Sequence, residues 1–312
     1  MKKRIVFIGI SILILVLLIW YSNPFLLAET VAKSNFNYLI LAFGVATLAI
    51  FVRVLKWNVL LKGVRFGELL PVQMFGITIS NFTPGKIAEP IKAFVLKARK
   101  GIPVATSLPS VIWERILDVI VLIILSLLVL QIFGFQSKII VLSAVSIGLF
   151  AALLAVLLFM LHNKNFGYRL FKALRRLPLF NRLSEDFMKN FYESSIGRKR
   201  LLSCFALTLM AWILDGVVFY LTLTAIGVTI NPIILAGIIA LSVLIGVAST
   251  LPGGLGSTEA VMILLLGILG VQSTTAVAGV MISRFISFWY GTLIGGLSFV
   301  YLSKKIDMKK IL

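Results

Sequence analysis

Two stretches decide how this chain is read: Thr83-Pro84-Gly85-Lys86-Ile87-Ala88-Glu89 and Thr250-Leu251-Pro252-Gly253-Gly254-Leu255-Gly256-Ser257-Thr258-Glu259. Each ends an apolar stretch, 69–82 and 233–249, that does not fit the mould of a full span across a bilayer core of about 30 Å. Each places a Pro-Gly break before a glutamate. In both cases an arginine follows in the next apolar run, Arg115 at 26 residues after Glu89 and Arg284 at 25 residues after Glu259. A backbone broken inside hydrocarbon frees N–H and C=O groups that lipid cannot satisfy, so it must be buried in protein or face a wet cavity. Proline and glycine supply the break, and the helix that follows begins with its positive dipole end at membrane depth. Transporters whose half-helices meet near the midplane hold anions in this way.

The rest of the chain supplies the membrane around these breaks. Of its 312 residues 60% are hydrophobic and 13% charged. Six runs are long enough to span: 5–22, 37–57, 108–133, 138–161, 201–223 and 279–302. The sequence therefore predicts an all-α polytopic membrane protein, with about six full transmembrane helices plus two re-entrant hairpins, and excludes a water-soluble globule. The N-terminal run after Lys2, Lys3 and Arg4 lacks an A-x-A cleavage site and is read as a retained helix. One cysteine, Cys204, rules out an internal disulfide or a cysteine-built metal site, and one histidine, His162, rules out HExxH zinc chemistry. Cys204 reads as packing filler and His162 as an interfacial residue. No cofactor is implied.

The net charge of +19 would suggest nucleic acid in a soluble protein; here the cations cluster at the ends of apolar runs and orient them, and no nucleic-acid partner is implied. With a cytoplasmic N-terminus and both broken stretches turning back, cytoplasmic segments carry 26 of the 30 Lys and Arg residues, including four at 53–65, five at 86–100 and ten at 163–200. If the first broken stretch crossed instead, the cluster at 163–200 would lie outside. The two hairpins, 67–98 and 233–271, then enter from opposite faces, each between two full spans, as an inverted-topology repeat with units 37–133 and 201–302. Residues 1–36 form a first helix and outer loop, 134–200 a helix and basic cytoplasmic linker, and 303–312 a basic tail, all in one integral membrane domain. The linker reads as amphipathic helices on an anionic leaflet.

Charges at membrane depth cost at least about 2.5 kcal/mol each by insertion scales and ask for a reason. Glu89 and Glu259 could cap the helices they begin, bind a cationic head group or carry a proton. Arg115 and Asp118, three apart, form either a structural pair or part of a substrate site. Asp215 sits mid-span with no neighbour in sequence to pair with and is a functional candidate, with Arg284 as an alternative structural partner. Lys86 and Lys92 read as interfacial anchors or lipid-phosphate contacts, and Glu114 as a residue snorkelling to the surface.

Together, Asn81-x-x-Pro84-Gly85-x-x-x-Glu89, Glu114-Arg115-x-x-Asp118 and Leu251-Pro252-Gly253-Gly254-Leu255-Gly256-x-x-Glu259 resemble the lysylphosphatidylglycerol synthase transmembrane region, also called the flippase-like domain, over nearly the whole chain. In the family's long members that region resembles a translocase of aminoacylated phosphatidylglycerol, with a separate cytosolic domain making the lipid. The resemblance makes Pro84, Gly85, Glu89, Arg115, Asp118, Pro252, Gly253, Gly254 and Glu259 candidate cavity residues. Ending at Leu312, the chain is expected to lack the synthase domain. The expected function is translocation of an anionic phospholipid, an aminoacylated phospholipid or a lipid-linked sugar across the cytoplasmic membrane. The site is expected to comprise Asn81, Pro84, Gly85, Lys86, Glu89, Arg115, Asp118, Asp215, Pro252, Gly253, Gly254, Glu259 and Arg284. Two other classes stay open. One is an intramembrane enzyme with a glutamate as general base, and the other is a membrane partner of a separately encoded synthase or glycosyltransferase docked on the basic linker. A homo-oligomer is compatible with either.

Overall fold

A computed structural model describes residues 24–61, 63–83, 88–133, 139–174, 189, 192–193 and 196–306, and every element in them is helical. The expected span 5–22 and the tip residues Pro84, Gly85 and Lys86 lie outside the described residues.

Five of the expected spans are helices. They are α2 (Phe36–Leu60), α5 (Val104–Phe133), α6 (Ile139–His162), α8 (Arg198–Ala225) and a final run made of α11 (Ser273–Arg284), a π-helical turn (Phe285–Trp289) and α12 (Tyr290–Ser303). A short α1 (Pro24–Ala32) precedes them and α7 (Lys164–Leu174) follows α6. Their ends follow local chemistry. The Asn35 side chain accepts a 3.0 Å bond from the Asn37 N–H, satisfying an orphan donor of α2. Asn231 does the same for the Ile233 N–H at 2.8 Å, with Pro232 at the first position of the next helix. The last run starts at Ser273, earlier than the apolar run at 279–302 suggests, because Ala276, Ala278 and Gly279 pack inside the protein rather than against lipid.

Both broken stretches are helix–break–helix hairpins. The first joins α3 (Phe66–Asn81) to α4 (Ile91–Lys100); the second joins α9 (Pro232–Ala248), through the turn Pro252–Gly254, to α10 (Ser257–Ile268). At 1.5 Å per residue, α3 and α9, with 16 and 17 residues, reach only about 24–26 Å, short of a full crossing. Gly253, Gly254 and Gly256 all take positive φ, which a side-chain-bearing residue adopts only under strain. Gly253 is also confined: a Cβ there would lie 2.9 Å from the Asn81 carbonyl and 3.0 Å from the Phe288 ring. The tip of the second hairpin thus rests on the end of the first.

Tertiary packing interleaves the halves. Helices α2 and α8, the leading spans of the two units expected from sequence, pack along each other. Helix α3 packs on α12, and α9 packs on α5. Glycines permit the close crossings. A Cβ on Gly295 of α12 would sit 1.8 Å from the Thr78 hydroxyl and 2.7 Å from the Met74 carbonyl of α3, and one on Gly237 of α9 would sit 2.7 Å from Val129 of α5. The outer surface keeps large apolar side chains exposed, including Phe36, Ile40, Val141, Leu202, Leu293 and Leu297. An exterior of this kind suits lipid as the surrounding medium.

Gly295→Ala is expected to lower the midpoint of thermal unfolding in detergent, by on the order of 1–3 kcal/mol of overpacking. Gly296→Ala, whose Cβ meets nothing within 4 Å, should leave it unchanged or slightly raised. Equal midpoints for the two variants would refute the interleaved crossing.

Candidate functional site

The site is built from charges that have no water to hold them. Glu89, in the turn before α4, Lys92 on α4, Glu114 on α5 and Lys56 on α2 are each at most 2% exposed. Lys92 spends all three of its donors, on Gln73 at 2.9 Å, Glu89 at 2.8 Å and Glu114 at 2.6 Å, and its ammonium lies 4.6 Å from the Trp57 ring centroid. The Gln73 amide donates back to Glu114 at 2.8 Å. Lys56 donates to Asp118 at 2.8 Å and stands 3.5 Å from Glu114. Arg115 completes the cluster, with Nε 2.9 Å from Glu89 and Nη2 2.6 Å from Asp118. Three cations and three carboxylates thus neutralise one another among α2, α4, α5 and the turn before α4.

The second half repeats the central pair with less around it. Arg284 Nε donates to Glu259 at 2.5 Å, and the other carboxylate oxygen of Glu259 accepts the Gly256 N–H at 2.6 Å, capping α10. Between the halves, Arg53 of α2 pairs with Asp215 of α8, and its guanidinium lies 5.9 Å from the Trp212 ring centroid.

These groups surround a cavity of about 170 Å³ whose walls come from both hairpins and from α2, α5, α8 and the final run. Asn81, Glu89, Arg115, Asp118, Asp215 and Arg284, all expected from sequence, line it. Pro252, Gly253 and Gly254 are buried in the adjoining turn, and Glu259 stands behind Arg284. The carboxylates Glu89, Glu114 and Glu259 are sealed, whereas Arg115 keeps 38% and Arg53 24% of its side chain exposed. Arg115 and Arg53 are therefore the most accessible charged groups of the cavity, ahead of Asp215, Arg284 and Asp118. The π-helical turn adds one residue to the helical repeat directly after Arg284, and both Ser287 and Phe288 in that turn line the cavity. Such bulges recur where a helix must aim side chains into a site.

Several expectations are corrected. Asp215, for which Arg284 was the partner in view, pairs with Arg53 of α2, and Arg284 is held by Glu259 on α10. Glu114 does not snorkel and Lys92 is no interfacial anchor: both are fully enclosed, and they pair with each other at 2.6 Å. Arg53 and Lys56, tallied with a cytoplasmic loop, lie within α2 and line the cavity. The available signal was their flanks, since Phe51, Val52, Val54, Leu55 and Trp57 are all apolar. Gln73, Thr258, Ser283 and Ser287 carried no signal, because single polar neutral residues are common in helices that pack. One expectation is met: the Cys204 thiol is buried, packed against the Lys56 carbonyl at 3.4 Å; His162 is exposed at a helix end.

The sequence profile of the lysylphosphatidylglycerol synthase TM region matches residues 6–295. The chain is 27% identical to a UPF0104 membrane protein of Pyrococcus horikoshii, covering 95% of this chain and 96% of that one. A UPF0104 membrane protein of Methanothermobacter thermautotrophicus is also 27% identical, over 95% of this chain and 92% of its own length. One from Methanocaldococcus jannaschii is 23% identical over 99% and 97%.

Lys92→Met leaves Glu89 and Glu114 short of a cation and should cost about 3–5 kcal/mol, seen as a large fall in thermal midpoint or folded yield. Adding Glu114→Gln removes the stranded charge and should recover part of that loss, since Glu89 keeps Arg115. Additive losses would show that the cluster is not one unit.

Proposed function

We propose that this chain, which belongs to the lysylphosphatidylglycerol synthase transmembrane region family, is a translocase that carries a phosphate-bearing lipid, a phospholipid or a lipid-linked sugar, across the cytoplasmic membrane. One observation carries the reading. Three arginine–carboxylate pairs, Arg53–Asp215, Arg115–Glu89 and Arg284–Glu259, drawn from both hairpins and from the spans that flank them, converge on a single cavity inside a bundle with an apolar exterior. A guanidinium has five N–H donors and its carboxylate partner occupies only one or two, so each arginine retains donors for a phosphate. The carboxylates hold the arginines in place and offset their charge while the site is empty, which limits the cost of keeping cations at membrane depth.

Movement follows from the same arrangement. The Glu–Arg pair recurs on both sides of the cavity, and each hairpin packs on the closing span of the other unit, so a rocking of one unit against the other exchanges which hairpin shields the site. This is the inverted-repeat mechanism of transporters with broken helices, with units 37–133 and 201–302, hairpin breaks entering from opposite faces, and both termini in the cytoplasm.

Reconstituted in liposomes with acyl-labelled anionic phospholipids, the protein should accelerate transfer between leaflets. Arg115→Gln and Arg284→Gln should each slow it about tenfold or more, the loss of one charge-assisted phosphate contact, with rates taken per folded protein because each change also breaks a buried ion pair. Absence of protein-dependent transfer across a panel of anionic lipids would remove the translocase reading. Full transfer by both variants would remove the arginines from the site.

A further inference from the structure

The two walls of the cavity differ in chemistry at matched positions. Aligned on their Glu–Arg pairs, the residue three after the glutamate is Lys92 in the first half and Met262 in the second. The residue before the arginine is Glu114 against Ser283, and the residue three after it is Asp118 against Ser287. One wall is therefore ionic and self-neutralised, and the other is hydroxylated apart from Arg284.

On that second wall and at its edge stand polar groups without partners. Ser283 and Thr258 are each 2% exposed and Asn81 8%, and all three line the cavity. Among the described residues no hydrogen bond uses the Ser283 hydroxyl, the Thr258 hydroxyl or the Asn81 carboxamide, and the buried Arg284 Nη2 has none either. Buried polar groups are nearly always hydrogen-bonded, so the buried, unpaired Arg284 Nη2, together with the Ser283, Thr258 and Asn81 side chains that line the same space, points to a ligand that supplies the bonds. Hydroxyl and carboxamide groups both donate and accept, as a polyol does, whereas an ammonium only donates and needs an anion. The cavity has no carboxylate to spare for one: Glu89, Glu114, Asp118 and Asp215 each already face a cation.

Resting on the translocase reading of this cavity, we infer that it selects a phosphate ester carrying an uncharged polyol, glycerol or a sugar, over aminoacylated and choline head groups. The arginines take the phosphate, and Asn81, Thr258 and Ser283 take the hydroxyls.

The test is equilibrium binding to the full-length protein in detergent, read by native mass spectrometry. The probes are the dihexanoyl forms of phosphatidylglycerol, lysyl-phosphatidylglycerol, phosphatidylcholine and phosphatidic acid, with free glycerol phosphate as a lipid-free arm. Phosphatidylglycerol should bind about tenfold tighter than the lysyl and choline lipids. Thr258→Val with Ser283→Ala, or Ser283→Ala alone, should weaken phosphatidylglycerol severalfold while leaving phosphatidic acid, which has the phosphate and no polyol, unchanged. Equal or tighter binding of the lysyl lipid, or equal weakening of phosphatidylglycerol and phosphatidic acid, would overturn the inference. Glycerol phosphate binding as tightly as the lipid would overturn its lipid origin. Leaflet transfer is scored separately, so selective binding without transfer fails the translocase and keeps the site, while transfer without selectivity does the reverse.

Discussion

Charge cannot be left alone at membrane depth, and in this protein that constraint organises the interior. Lys56, Lys92 and Arg115 face Glu89, Glu114 and Asp118 in one connected cluster, with Gln73 bonded to both Lys92 and Glu114. Each pair would be costly if separated, because the desolvation of both ions has already occurred. The cluster therefore ties α2, α3, α4 and α5 to one another more firmly than the apolar contacts alone, which in lipid have little hydrophobic driving force behind them. The second half holds its tip by a single pair and a backbone cap, so the two halves differ in how tightly their hairpins are fastened.

Close helix crossings make room for this arrangement. Gly295 against Thr78 and Gly237 against Val129 bring α3 onto α12 and α9 onto α5. Gly76 and Gly246 do the same within the hairpins, where a Cβ would strike Lys92 and Thr258 respectively. Gly76 thus admits the lysine that anchors the ionic wall, and Gly246 admits the threonine of the hydroxylated one. The cavity is where these constraints meet: broken backbone, paired charge and small residues together leave a polar space enclosed by apolar helices.

Much of the architecture was legible in the sequence. Spans stand out because lipid demands long apolar runs. The hairpins stand out because Pro84-Gly85 and Pro252-Gly253-Gly254 cannot continue a helix, and the spacing from Glu89 to Arg115 and from Glu259 to Arg284 linked each break to the span that follows. Glu89, Arg115, Asp118, Asp215 and Arg284 could be assigned to a cavity because ionisable residues within apolar runs are rare enough to stand out, and Asn81 came with the motif it shares with Pro84-Gly85. Lys92 and Glu114 could not, because a cation or carboxylate near the end of an apolar run looks the same whether it reaches water or another ion; Arg53 and Lys56 had only their apolar flanks to mark them.

The sequence by itself thus determined the class of molecule, a helical membrane protein of broken hairpins, since solvent acts on each residue through its own polarity and each break through its own backbone. Only the tertiary structure decided which charge meets which, that Asp215 belongs to Arg53 and Glu259 to Arg284, and that one cavity wall is ionic and the other hydroxylated. Pairing depends on distances between helices far apart in the chain, and in a low-dielectric interior a separation of a few ångströms decides whether two charges neutralise each other or stand exposed.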